Sequence, residues 1–301
     1  MNEKFMWPEN LLPLRKPLQN LKYAWRVGSA IVVPAVAMLS KIWMTKFNTT
    51  NVHNYNVFLD TISRHYANRH ALITISNHNS CLDDPYLYSA LFPWKWIFNS
   101  DIHRWSSAAE DICFTRNWHT LFFTLGKTFP VVRGKGIYQS GMDFAVELLK
   151  GKQLLHVFPQ GKVIEDEQSS DPRATNSSVN EMTLSSSDSN KTYDFKWGLA
   201  RLILDTIGFD ELNNDSLEVL PFYHIGMNKV LPNVKPYIPK FGNRVTICFR
   251  DSPIVFNRNF IVNELCGGSL LSVKQRRVAI SRYLEMEMRK LKLETMKRHY
   301  K

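Results

Sequence analysis

The residues of this chain best suited to chemistry lie in one stretch, Asn77-His78-Asn79-Ser80-Cys81-Leu82-Asp83-Asp84-Pro85. Four residues separate His78 from Asp83, enough for a tight loop to return the carboxylate to the imidazole edge. A carboxylate accepting from one ring N–H fixes the tautomer and raises the basicity of the other nitrogen, which can then deprotonate a hydroxyl attacking an ester. The hydroxyl would belong to a substrate, so acyl transfer can be direct; Ser80 and Cys81 stand in the same stretch as alternative nucleophiles. With nine histidines in 301 residues the bare spacing arises readily by chance, and a loop histidine beside a helix cap is the plain alternative.

The flanking residues place the pair. Residues 71–76 alternate Ile73 and Ile75 with Thr74 and Ser76 as a half-buried strand does, while Asp84-Pro85 reads as an N-cap followed by proline at the first helical position. His78 is therefore expected at a strand's end, where sites of α/β folds lie. Further strands are expected over 128–133, 153–158, 217–223 and 245–250, with helices over 51–68, 138–150 and 195–207, the last burying Trp197. The turn Arg133-Gly134-Lys135-Gly136 suits a phosphate or is simply solvated; its glycines match neither G-x-G-x-x-G nor a P-loop. His224 reads as a core or loop histidine.

A composition of 44% hydrophobic residues supports one α/β domain, expected over 49–272. A segment 1–48 with a membrane-associating helix precedes it, and a basic helix over 273–301 follows, either solvated or touching anionic lipid. Residues 27–44 approach the ~17-residue minimum for a span, flanked by Lys22, Arg26, Lys41 and Lys46, and suit a span, an interfacial helix or a core helix. The aromatic-rich residues 86–100 either enter lipid headgroups or pack inside. Residues 165–191, rich in Ser, Asn and Asp, read as a disordered insertion. The net charge of +11 favours an anionic membrane surface, since no stacking motif supports nucleic acid. Four scattered cysteines make neither a zinc site nor a disulfide framework, and no metal or cofactor is implied. The N-terminus has no apolar run typical of a secretory signal and is not a convincing matrix presequence.

Four blocks occur in order: Asn77-His78-x4-Asp83, Phe129-Pro130-Val131-Val132-Arg133-Gly134, Phe158-Pro159-Gln160-Gly161 and Leu220-Pro221-Phe222-Tyr223. In order and spacing they resemble the glycerolipid acyltransferase family. The stretches 158–163 and 221–233 look like its phospholipid–lysophospholipid transacylases, in a fungal form, and the likeness runs from about Trp25 to Asp251. The resemblance implies a mixed sheet flanked by helices and transfer without acyl-CoA. It also implies cardiolipin remodelling on mitochondrial membranes, outer or inner, facing the intermembrane space. By motif, His78 would be the base and Asp83 its orienting partner, with Arg133 and Gly134 holding a phosphate. Phe158, Pro159, Gln160 and Gly161 would line the glycerophosphate site, and Pro221 would shape the acyl pocket. Gln160 departs from the family, which carries glutamate there, and so puts substrate preference in question. An acyl-CoA-dependent lysophosphatidate acyltransferase and an inactive membrane-binding scaffold are the alternatives.

Overall fold

The computed structural model describes residues 22–164, 195–211 and 215–301; the expected insertion at 165–191 lies outside them. Its strands are β1 (Thr49–His53), β2 (Ala71–Ile75), β3 (Trp105–Ala109), β4 (Thr128–Val131), β5 (Leu154–Val157), β6 (Leu217–Ile225), β7 (Arg244–Phe249) and β8 (Ile254–Phe256). They form one mixed sheet in the order β1-β7-β6-β2-β5-β3-β4, with β8 on β6. Central β2 runs parallel to both β5 and β6, and β3 runs parallel to β4 and β5. Strand β6 is antiparallel to β7 and β8. The helices are α1 (Lys22–Ile42), α2 (Tyr55–Asn68), α3 (Asp83–Leu91), α4 (Trp94–Ile97), α5 (Glu110–Cys113), α6 (Asn117–Leu125), α7 (Ser140–Lys150), α8 (Gly198–Thr206), α9 (Met227–Val230) and α10 (Val273–His299).

Side-chain alternation divides the core between the two faces of the sheet. Ala71, Ile73 and Ile75 of β2 join Leu155, Val219 and Tyr223 beneath α7, α8 and α10, where Phe144, Leu148, Ile203, Ile280 and Leu284 meet them. Leu72, Leu154, Leu220 and Phe222 face the other way, onto α2 and α3, through Phe58, Ile62, Leu87 and Leu91. Every residue of β2 is buried, so it is a central strand covered on both faces and not the half-buried one its alternation suggests. Pro221 is buried within β6 at the point where pairing passes from β8, at residues 217–219, to β7, at residues 222–225. A proline there removes a donor where the ladder changes hands.

Several expectations need correction. The helix expected from residue 51 begins at Tyr55, because residues 49–53 pair with β7, a partner about 195 positions away in sequence. Asp84 is no N-cap: it lies inside the first turn of α3 and pairs with Arg104. Among the aromatics of 86–100, Tyr88 and Phe92 are buried in the core while Trp94 and Phe98 are exposed, so the cluster divides between the two readings. Trp197 is 39% exposed and precedes α8, whose apolar side is built by Leu199, Leu202 and Ile203. Lys41 does not reach an interface: it is buried, and its Nζ donates to the carbonyls of Ser89, Ala90 and Phe92 at the end of α3.

The basic helix α10 lays Ile280, Leu284, Met288 and Leu291 onto the sheet and leaves Lys274, Arg282, Lys290 and Lys297 exposed, while Arg276, Arg277 and Glu287 are buried; its start is a capping box between Ser272 and Gln275. Leu284 has no exposed surface, so Leu284→Ala should lower folding stability by about 2–5 kcal/mol, read by denaturant unfolding. A loss below about 0.5 kcal/mol would mean that α10 is not part of the core.

Candidate active site

The loop after β2 turns Asp83 back onto His78, as the spacing requires: His78 Nδ1 lies 3.0 Å from Asp83 Oδ2. Asp83 is completely buried, at the N-terminal end of α3, where helix amides favour negative charge. The same Oδ2 accepts the backbone N–H groups of Asn79 at 2.6 Å and Ser80 at 2.9 Å. Since an ionised carboxylate only accepts, His78 must carry its proton on Nδ1, which leaves Nε2 with the free lone pair. The His78 ring stacks on Phe158, centroids 3.9 Å apart and planes at 15°, which holds its remaining rotation.

Residues from distant parts of the chain hold the loop. Ser80 Oγ donates to the Leu231 carbonyl at 3.0 Å, and Asn233 Nδ2 donates to the Asn79 carbonyl at 2.9 Å. Both partners come from the turn after β6. That turn needs Gly226: its φ is +103°, and a Cβ there would meet the Arg244 carbonyl oxygen at 2.2 Å. Cys81 is an exposed residue whose thiol is partly screened from water, and that desolvation together with the Asp83 charge pushes the thiol upward, away from the thiolate. Neither alternative nucleophile is poised to react.

Beneath the loop, Arg104 forks onto Asp84, and Ser106 Oγ donates to Asp84 at 3.0 Å. Burial opposes that carboxylate, but the Arg104 guanidinium, together with the Ser106 hydroxyl, holds it below the usual range. His156 of β5 sits across from Thr74, with its Nδ1 3.0 Å from Thr74 Oγ1. Burial pushes it down to about 3, against Asp84 and with help from Arg104, so this imidazole is neutral. Nothing local in the sequence marks His156, whose partners are set by strand register, and His224 reads there as a core or loop histidine. His224 is indeed fully buried, yet its Nε2 lies 3.6 Å from Asp83 Oδ2.

The other expected site residues divide into two groups. Phe158, Pro159, Gln160 and Gly161 follow β5, next to β2; Gln160 is buried and Gly161 turns the chain at φ +67°. Pro221 pairs with Ile75, two residues before Asn77. Arg133 and Gly134 follow β4 at the same end of the sheet, three strand spacings or ~14 Å from the line of β2. Arg133 is exposed there and paired with Asp111. A cavity of about 100 Å³ opens between α1, α3 and α6, from Val32, Val36 and Phe122 to Asp84, His103 and Arg104. Pro221 does not line it.

A family model described as acyltransferase matches residues 50–225, more than half of the chain and all four blocks. The chain belongs to the acyltransferase family. It is 35% identical to a tafazzin of Drosophila melanogaster over 240 residues, covering 80% of this chain and 55% of that one. A protein of Dictyostelium discoideum named taffazin is 32% identical over 224 residues, covering 73% of this chain and 68% of its own. The chain thus spans little more than half the length of the fly protein. A solved lysophosphatidate acyltransferase, PlsC of Thermotoga maritima, aligns over 93% of this chain and 85% of that one at 16% identity, with a TM-score of 0.43, too loose a likeness to carry an argument.

In this member of the acyltransferase family the cost of burying imidazoles is felt at acid pH. Burial is the main cause holding His65 down to about 4 and His103 and His156 to about 3. The unfolded chain protonates all three below about 6.5 and the folded chain does not, so stability is complete above that pH and falls as pH drops toward 4. Each contributes up to about 1.4 kcal/mol per pH unit within its window. Melting temperature should fall between about pH 6.5 and 5, above most carboxylate titration, and His103→Gln should flatten the slope. A melting temperature constant over that interval would contradict the neutral histidines.

Proposed function

We propose that the chain is a CoA-independent phospholipid transacylase that moves an acyl group from a phospholipid such as phosphatidylcholine to lysocardiolipin. The observation that carries this reading is the His78–Asp83 pair at 3.0 Å with neither Ser80 nor Cys81 poised as a nucleophile. His78 Nε2 takes the proton of the lysophospholipid hydroxyl, whose oxygen attacks the ester carbonyl of the donor. The tetrahedral intermediate collapses with cleavage of the bond to the donor's glycerol oxygen, and that oxygen receives the proton from His78. Asp83 stabilises the imidazolium between these events. The amides of Asn79 and Ser80 are committed to Asp83, so the oxyanion is stabilised from elsewhere, by the 158–161 turn. Arg133 and Gly134 receive a substrate phosphate, Pro159, Gln160 and Gly161 line the glycerophosphate, and Pro221 shapes the acyl site.

Both substrates live in bilayers, and the surface is suited to reach them. Along α1, Val27, Ile31, Leu39 and Ile42 form an exposed apolar stripe at helical spacing, and α1 and the segment after it over 24–47 are apolar and long enough to cross a membrane. With Lys41 buried in the protein, we place α1 in the interface of an anionic membrane. The likeness to tafazzins supports association with a mitochondrial membrane, and we infer the side facing the intermembrane space from the resemblance of the motifs.

Transfer of a labelled acyl group from phosphatidylcholine to lysocardiolipin in CoA-free liposomes tests the reaction. His78→Ala should lower it by about 10²–10⁴-fold. Transfer only after acyl-CoA is added would favour the lysophosphatidate acyltransferase, and none in either condition the scaffold. Gln160→Glu should shift preference among lysophospholipid headgroups in the same assay, by placing a carboxylate where substrate phosphate is read. Unchanged preference would remove Gln160 from substrate recognition.

A further inference from the structure

The residue before His78 is tied to the sheet by a second histidine. His224 Nε2 lies 2.9 Å from the Asn77 carbonyl oxygen, and a carbonyl can only accept, so Nε2 carries the proton. The His224 backbone N–H donates to Asn77 Oδ1 at 2.9 Å, and its carbonyl accepts from Asn77 Nδ2 at 2.9 Å. Asn77 and His224 are therefore joined three times, across 147 residues of sequence. Ser76 Oγ donates to the same Asn77 carbonyl at 2.9 Å and stands 3.3 Å from His156 Nε2. Both lone pairs of that carbonyl are filled by side chains with no exposed surface, and the peptide between Asn77 and His78 cannot turn without stranding buried donors.

We propose that His224 is a positioning residue of the transfer reaction, fixing the orientation of His78 through the Asn77 carbonyl and Asp83 Oδ2. The inference rests on the reading of His78 as general base. His224 Nε2 also stands 3.6 Å from Asp83 Oδ2, beyond hydrogen-bond reach but close enough for the N–H dipole to draw on that carboxylate. The other titratable groups around this cluster are Asp83 and Asp84 on α3, Arg104 before β3 and His156 on β5. Removal of the donor leaves Asp83 to bind imidazolium more tightly, so His78 should titrate higher.

The test compares His224→Phe, which keeps a ring without a donor, with His224→Gln, whose amide N–H replaces Nε2–H. Two readouts are taken: kcat and KM of CoA-free transfer in phosphatidylcholine and lysocardiolipin liposomes, and the pH dependence of His78 modification by diethyl pyrocarbonate, located by mass spectrometry. His224→Phe should lower kcat about tenfold at unchanged KM and move the modification midpoint upward; His224→Gln should restore both to within about threefold. An unchanged rate and midpoint in a folded His224→Phe protein would overturn the proposal. So would a folded His224→Gln protein reduced more than about tenfold, which decides the matter even when the Phe variant does not fold. Absence of transfer by the wild type sinks the transacylase reading alone, because the modification midpoint still reports on His224.

Discussion

A carboxylate with no exposed surface needs donors, and the candidate site is arranged to supply them to one oxygen of Asp83, Oδ2, while Oδ1 has no hydrogen-bond partner among the described residues. One oxygen gathers His78 Nδ1 and the amides of Asn79 and Ser80, with His224 close by. An ionised carboxylate left in that place without them would cost several kcal/mol. Its donors lie in the loop it closes, so burial of the carboxylate and geometry of the loop are a single requirement. Ring orientation follows from it, with Phe158 stacked against the free side of the imidazole.

The sheet makes this loop possible by ending three parallel strands at one place. Strand β2 delivers His78, β5 delivers Phe158 and Gln160, and β6 delivers His224. Because β2 is buried on both faces, polar side chains in and just after it need internal partners, and Thr74 and Ser76 find them in His156. What looks from the sequence like the solvent side of a strand is a buried hydrogen-bond layer under the site.

Local patterns were readable in the sequence and distant pairings were not. The His78–Asp83 pair was legible because both members belong to one short stretch, β2 was legible as an apolar, β-branched run, and β5 and β6 as mainly apolar ones. Strand β1 was hidden because its residues are polar and its ladder depends on β7. Strand β3, Trp105-Ser106-Ser107-Ala108-Ala109, has too little hydrophobic signal to stand out. Asp84 fits a cap by composition, but Arg104 offers a stronger partner in the folded chain. The roles of His156 and His224 arise only when register brings Thr74 and Asn77 beside them. A single sequence contains no such information.

Helix α3 has an anchor at each end. Asp83 begins it, and Lys41 from the end of α1 grips three carbonyls where it stops. With 9 residues it is a stiff strut of ~13 Å. Any force that tilts or draws α1 is thus delivered to the far end of that strut, at the carboxylate that sets the ring of His78. The partly exposed apolar helix and the buried carboxylate are thereby joined through one short, rigid element.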